Sequence, residues 1–249
     1  MSDSFDTLLK QIESTKKNIV AFSPTLQKDI ELKPLTIDQQ SVIIDSISDI
    51  STLQVNPIYL IVKFNTNFNN IIKDNVDKDI FHSLTTVDRV NIILYFRNDV
   101  SDSVELDGEE INLQKIIDRN RNIDNVQTQK IIEKDGFKFD VSIPKLSDDS
   151  EVNRILAKKI KENPSTNSIV GDIYLYEILK FVNSIQFEDG EVVKIQKNYK
   201  NLQLLKKINL STLRPVIQFI EEVRTYEEKF INIPDTEDNL LLTPDLFII

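Results

Sequence analysis

A strand is followed almost directly by a helix in residues 29–50, DIELKPLTIDQQSVIIDSISDI, with only a very short joint between the two elements. Apolar and charged residues alternate over 29–33, as they do in a strand with one buried face. Pro34 ends this strand because proline has no N–H to donate to a ladder. Thr36 lies three residues before Gln39, which is the spacing of a capping box, and so predicts the start of a helix.

Other segments of the chain also show the apolar spacing of helices. Asn56-Pro57 has the N-cap and first-turn proline of a helix start, and Thr85 or Thr86 opens another helix. Residues 5–17 fit either a short amphipathic helix or a loose arm that docks on a partner. The last predicted helix opens at Ser211 or Thr212, and Ser147 and Asp148 precede the helix over 152–160. The remaining predicted helices have their apolar positions within 113–117, 152–160, 170–182, 202–208 and 213–223.

Three Asp-Gly pairs lie between short apolar runs and predict hairpins. Asp135-Gly136 is the clearest, because residues 137–143 alternate strictly between apolar and polar side chains. We therefore predict an α+β fold, predominantly helical, with small antiparallel β-hairpins and sheets. The pattern changes near residue 146, which predicts an N-terminal strand-helix region with a hairpin section over 1–146 and a mainly helical region with an extended tail over 147–249.

Composition limits the classes of function. The net charge of −10 argues against nucleic acid and anionic lipid as partners, since both require a basic surface. Lys158, Lys159 and Lys161 come nearest to such a surface, and we interpret them as a solvated helix face. The chain has no cysteine, no apolar run long enough to span a membrane and no signal peptide, so the expected compartment is the cytoplasm.

The sequence presents no catalytic or ligand-binding motif. His82 is the only histidine, and no partner for acid–base chemistry is identifiable near it. Glycine-rich phosphate motifs are missing, and residues 99–105 lack the spacing of a calcium loop. Pairs of acidic residues, among them Asp148-Asp149 and Glu227-Glu228, are interpreted as solvated faces. We therefore expect no catalytic, metal or cofactor-binding residues, no small-molecule ligand and no enzymatic activity.

The C-terminal segment is unusually apolar for a chain end. Two interpretations are open: the tail folds back onto its own domain, or it packs against a partner by strand addition or by filling an apolar groove. The candidate partner-binding residues are Leu240, Leu241, Leu242, Leu246, Phe247, Ile248 and Ile249.

Two stretches resemble a known family. The first is the strand followed by Pro34-Leu35-Thr36 and Gln39-Gln40; the second is the last helix, LSTLRPVIQFIEEVRTYEEKF, with the acidic and apolar tail that ends in Leu246-Phe247. Both are similar to the baseplate hub proteins of T-even-type bacteriophages, which have contractile tails, and together they cover about a quarter of the chain.

The resemblance implies a non-enzymatic structural or assembly protein whose partners are other phage baseplate and tail proteins. Such a protein would be made in the host cytoplasm and would reside in the tail baseplate of the virion. Two alternatives stay open: a baseplate assembly chaperone that is absent from the mature virion, and a carboxylate-dependent hydrolase, which only the many acidic residues favour.

Overall fold

A computed structural model describes residues 17–52, 57–106, 108–162, 166–236, 238–240, 242 and 244–247. It is 55% helical with 21% strand, and the strands form small antiparallel sheets, which confirms the predicted α+β class. The helices of the described residues are α1 (Ile37–Thr52), α2 (Pro57–Asn75), α3 (Lys78–Phe81), α4 (Thr86–Val100), α5 (Leu113–Asn120), α6 (Leu146–Glu162), α7 (Thr166–Phe181), α8 (Tyr199–Leu205), α9 (Leu210–Ile231) and a 3-10 turn (Pro244–Phe247).

The joint between strand and helix forms as the sequence predicts. Strand β1 (Ile19–Ser23) pairs antiparallel with β2 (Lys28–Leu32), and α1 follows. The Thr36 hydroxyl accepts from the Gln39 N–H at 3.2 Å, and Gln39 Oε1 accepts from the Thr36 N–H at 3.0 Å. The Gln39 amide also exchanges two 3.1 Å hydrogen bonds with Asn75, so the capping box is tied to the end of α2.

The hairpins form two further sheets. Strands β3 (Ser103–Leu106) and β4 (Glu109–Asn112) pair across residues 107 and 108. Strands β5 (Gln129–Lys134), β6 (Phe137–Ser142), β7 (Val182–Gln186) and β8 (Val192–Lys194) form one antiparallel sheet in that order. Asp135 and Gly136, between β5 and β6, both have positive φ, as a two-residue hairpin turn of type I′ requires.

Helix α4 lies at the centre of the molecule and is buried along most of its length. Thr85 and Asp88 form a capping box at its start. The Asp88 carboxylate also accepts from the Ser23 hydroxyl at 2.7 Å and from the Thr25 hydroxyl at 2.5 Å. The β1–β2 turn is thereby fixed to the start of α4.

Two hydrophobic clusters build the core. The cluster around Phe68 contains the β1–β2 hairpin, residues 92–96 of α4, and the end of the chain at Leu240, Leu246 and Phe247. The cluster around Phe139 contains the four-stranded sheet and the inner faces of α6 to α9. We call them the Phe68 cluster and the Phe139 cluster. The division of the chain near residue 146 stays a prediction.

Several predicted boundaries are wrong by a few residues. Helix α6 begins at Leu146, so Ser147 and Asp148 lie inside its first turn; the Leu146 N–H donates to the Leu84 carbonyl. Val182 belongs to β7 and not to the preceding helix, because it pairs with Val141 in the sheet.

Two corrections concern the C-terminal region. Helix α9 begins at Leu210, before the predicted start at Ser211 or Thr212, and its N-cap Asn209 makes no side-chain capping bond. The tail is not extended throughout, since Pro244–Phe247 form a 3-10 turn against α1 and α4. The predictions at residues 5–16, Asn56 and Asn163-Pro164 lie outside the described residues.

Candidate functional site

The candidate partner-binding tail packs on its own chain wherever the structure describes it. Leu240, Leu246 and Phe247 are buried, and Leu242 packs against the Phe68 cluster while partly exposed. Leu241, Ile248 and Ile249 lie outside the described residues. The arrangement is that of a tail folded back on its own domain. A contact between this segment and a partner protein stays a prediction.

Two polar side chains hold the tail through its backbone. The Gln40 side-chain amide donates to the Phe247 carbonyl oxygen at 3.1 Å, and Arg97 Nε donates to the Leu246 carbonyl oxygen. The Phe247 ring lies with its centroid 5.5 Å from that of Phe68. The sequence gives no sign of these contacts, because 207 residues separate Gln40 from Phe247.

The acid–base candidates differ in their surroundings. His82 is exposed at the end of α3, with its ring beside that of Phe81. The pairs Glu109-Glu110 and Glu221-Glu222 are exposed, as predicted. The interpretation as a solvated face is wrong for Asp149, which is 1% exposed, and for Glu227, which is mostly buried and accepts a hydrogen bond from Thr86.

Asp149 is the centre of a buried charged cluster drawn from four helices. Its Oδ2 accepts from Arg89 of α4 at 2.5 Å, from Asn69 of α2 at 2.9 Å and from Asn153 of α6 at 3.0 Å. Its Oδ1 lies 2.9 Å from the ammonium of Lys180 on α7. Sequence reasoning missed this cluster because its members are far apart in the chain and each is an ordinary polar residue in a helix.

The same cluster continues toward α9. Lys180 also pairs with Glu177 at 2.9 Å, and Arg224 lies 3.6 Å from the other Glu177 oxygen. The Thr86 hydroxyl donates to Glu227 Oε1 at 2.9 Å. Burial raises the pKa of Glu227 above its ordinary value, because the ionised form loses its water. The cluster therefore joins α2, α4, α6, α7 and α9.

The electrostatics of Asp149 favour its ionised form at neutral pH. Burial by itself raises the pKa of this carboxyl, but the charges of Arg89 and Lys180 and the hydrogen bonds from Lys180 and Asn69 outweigh it and hold the pKa well below its usual range. A carboxylate with so low a pKa and with both oxygens bonded is a poor proton acceptor at neutral pH. The ion pairs and hydrogen bonds around Asp149 therefore hold the helices together.

An open cleft lies beside this cluster, between α2 and α6. Its volume is about 710 Å³. On each helix the residues that line the cleft are mostly three or four apart, so they lie on one face of that helix. The residues from α2 are Tyr59, Lys63, Thr66, Asn67 and Asn70, and those from α6 are Ser147, Ser150, Glu151, Arg154, Ala157, Lys158, Lys161 and Glu162.

A second cleft of about 520 Å³ adjoins the first across α6. Arg154, Lys158 and Glu162 line both clefts, and the second adds Ile155, Lys159, Tyr176 and Tyr199. We call the two together the α6 clefts. The interpretation of the lysines as a plain solvated face missed the cleft walls, which come from α2, α7 and α8.

Two lysines of the α6 clefts lie against aromatic rings. The Lys161 ammonium is 5.6 Å from the centroid of Tyr59, and that of Lys159 is 5.9 Å from the centroid of Tyr176. Burial and the nearby charge of Lys206 lower the pKa of Lys159 from its ordinary value. Positive charge is therefore crowded at this surface.

The described residues contain neither a candidate metal site nor a candidate membrane span. No group of three or more histidines, cysteines or acidic residues there is arranged to hold a metal ion. Among the helices described, none is both long and apolar enough to cross a membrane.

Comparisons with known proteins give no relative from which a role is transferable. No protein-family model, curated protein or solved structure matches this chain.

Proposed function

We propose that this chain acts by binding other proteins, as a structural component of the baseplate hub in a T-even-type contractile phage tail. One observation carries the proposal beyond the resemblance: the end of the second stretch packs against the helix that begins in the first. Gln40, in the first stretch, holds the carbonyl of Phe247, at the end of the second. The Asn120 amide also ties the end of the last helix to the rest of the chain through the Phe230 carbonyl at 2.9 Å.

The charged cluster is consistent with a binding role. The oxygens of Asp149 are bonded to side chains of the same chain, so this carboxylate fixes helices rather than facing a substrate. The α6 clefts are open and combine charged side chains with tyrosines, and tyrosine and arginine are both enriched at protein interfaces. Under this proposal the protein is made in the host cytoplasm and incorporated into the virion.

A baseplate assembly chaperone is the alternative that shares these observations. Both kinds of protein bind tail components, and they differ in whether the chain stays in the mature particle. Quantitative mass spectrometry of purified phage particles, set against the lysate of infected cells, distinguishes them directly.

For a structural component, we expect the chain in purified particles at a fixed ratio to other baseplate proteins, and in the tail fraction after sedimentation. A chain that binds tail proteins in the lysate but is absent from particles would be a chaperone. A chain that sediments with no tail protein in either sample would contradict both.

A further inference from the structure

The α6 clefts carry a local charge opposite to that of the whole chain. Five cations and two carboxylates line them, in a chain whose net charge is −10. The cations are Lys63, Arg154, Lys158, Lys159 and Lys161. The rest of the molecule is therefore more acidic than the total suggests, and the clefts are the place where an anionic group is best received.

The ion pairs already present in the clefts are weak enough to be exchanged. Arg154 lies 2.7 Å from Glu151, with side chains 73% and 45% exposed, and Lys158 lies 3.9 Å from Glu162, with side chains 78% and 60% exposed. Exposed pairs of this kind contribute little to stability, because water and salt screen their attraction. A carboxylate from a partner would thus replace Glu151 or Glu162 at little cost.

Tyrosines give the clefts apolar surface between the charges. Tyr59 lies in the cleft between α2 and α6, while Tyr176 and Tyr199 lie in the second cleft. Tyr199 is 59% exposed, so its ring is available to a partner. Tyrosine supplies contact area at low entropic cost and is enriched at protein interfaces. The combination suits a segment in which acidic side chains alternate with apolar ones.

We propose that the α6 clefts bind an acidic segment of a protein partner. The segment's carboxylates pair with Arg154, Lys158 and Lys161, and its apolar side chains pack on Tyr59 and Tyr199. A nucleic acid is the less favoured occupant, because its long phosphate backbone would extend from the clefts along a chain whose net charge is −10. This inference rests on the proposed protein-binding function and assigns it a site and a class of partner.

The test uses the full chain and two charge-reversal variants with the same change in net charge. The first is Arg154→Glu with Lys158→Glu, both in the clefts. The matched control is Lys28→Glu with Lys115→Glu, two exposed lysines on β2 and α5. Circular dichroism and thermal unfolding establish that both variants fold. The probe is a fluorescent dodecapeptide of alternating Glu and Leu, and its negative control is the same peptide with Gln in place of Glu.

We expect the wild type and the control variant to bind the acidic peptide equally, with an affinity that falls as salt is added. Binding should be about tenfold weaker or worse in the cleft variant, since two charge pairs turn repulsive. If both variants lost affinity for the acidic peptide equally, the effect would be one of general charge and the proposal would be overturned. The proposal would also be overturned if the wild type bound the Gln peptide as tightly as the acidic peptide. A single-stranded oligonucleotide that competes for the same site with higher affinity would assign the clefts to nucleic acid instead.

Sedimentation with phage tails separates this inference from the proposed function. If the wild type and the cleft variant both join tails, the protein-binding function stands and the cleft assignment fails. If the wild type does not join tails, the proposed function itself fails, whatever the peptide does. The proposal is supported only when the wild type and the control variant join tails and the cleft variant does not.

Discussion

A buried carboxylate is stable only where fixed positive charge and hydrogen-bond donors replace the water it has lost. Asp149 has two cations and two amides within hydrogen-bond distance, each supplied by a side chain that is itself mostly buried. Such a pair is not strong evidence for high stability, because desolvation offsets most of the attraction. Its clearer consequence is that removing one member leaves the others uncompensated.

Replacing Asp149 with Asn should lower the free energy of unfolding by about 3–5 kcal/mol, the usual cost of breaking a buried ion pair from one side. The variant leaves Arg89 and Lys180 buried without their shared anion. The measurement is urea unfolding at pH 7. Glu221→Gln on α9 is the control; Glu221 is exposed, so its change should stay within about 0.5 kcal/mol.

The loss of unfolding free energy caused by Asp149→Asn should depend on pH. Because the folded-state pKa of Asp149 is lowered, its stabilising contribution is complete above the unfolded-state pKa of about 3.9. The contribution is lost as the pH falls below that value toward the folded-state pKa. The difference in unfolding free energy between wild type and Asp149→Asn should therefore be constant from pH 7 to about pH 5 and shrink below pH 4. A difference that grows in acid would contradict the assignment.

Thr36 acts at the same scale through one hydroxyl group. Thr36→Ala removes the acceptor for the Gln39 N–H and should cost about 1 kcal/mol of unfolding free energy. Thr36→Ser keeps the hydroxyl and serves as the control. If the two variants unfold at the same urea concentration, the capping bond contributes nothing to stability.

At the scale of elements, two turns of the four-stranded sheet meet. Gly136 in the β5–β6 turn has φ of +77°, and a Cβ placed there would lie 2.0 Å from the Glu188 carboxylate, in the β7–β8 loop. Gly190, in that loop, has φ of +85° with no atom within 4 Å of such a Cβ. Both glycines therefore have the positive φ that other residues rarely adopt, and they differ only in whether an added Cβ would meet Glu188.

Alanine at Gly190 should therefore cost only the strain of a left-handed residue, about 1–2 kcal/mol. Gly136→Ala should cost more, because Glu188 must also move. When Glu188 is also replaced by Ala, Gly136→Ala should lose this extra cost. Its effect on stability should then equal that of Gly190→Ala. Thermal unfolding of the single and double variants measures this, and an equal cost for the two single variants would show that Glu188 yields freely.

The elements themselves were largely predictable from sequence, but their long-range contacts were not. Periodicity places α2, α4 and α9, and Asp-Gly places the β5–β6 turn, because these signals are local. The end of α7 is misplaced because Val182 is fixed by pairing with Val141. The clefts and the cluster around Asp149 depend on side chains from several helices, and a pattern within one helix does not show which face meets which neighbour.

At the scale of the whole molecule, the two hydrophobic clusters share structural elements. Helix α4 gives Val87 to the Phe139 cluster and Ile92 to Phe96 to the Phe68 cluster. Helix α6 likewise begins in one cluster with Leu146 and continues in the other. The buried cluster of Asp149 and Arg89 joins these same two helices. Loss of either cluster would therefore remove support from the other, which favours one cooperative unit over two.

Two phenylalanines test this coupling, one in each cluster. Phe247→Ala empties a buried site in the Phe68 cluster, and Phe219→Ala does the same in the Phe139 cluster. Each should cost about 3–5 kcal/mol. Native-state hydrogen exchange followed by mass spectrometry reports the slowest amides of β2 and β6, which lie in different clusters. In a single unit, either substitution should accelerate exchange in both strands by the same factor. If Phe247→Ala affected β2 alone and Phe219→Ala affected β6 alone, the clusters would unfold separately and the chain would contain two domains.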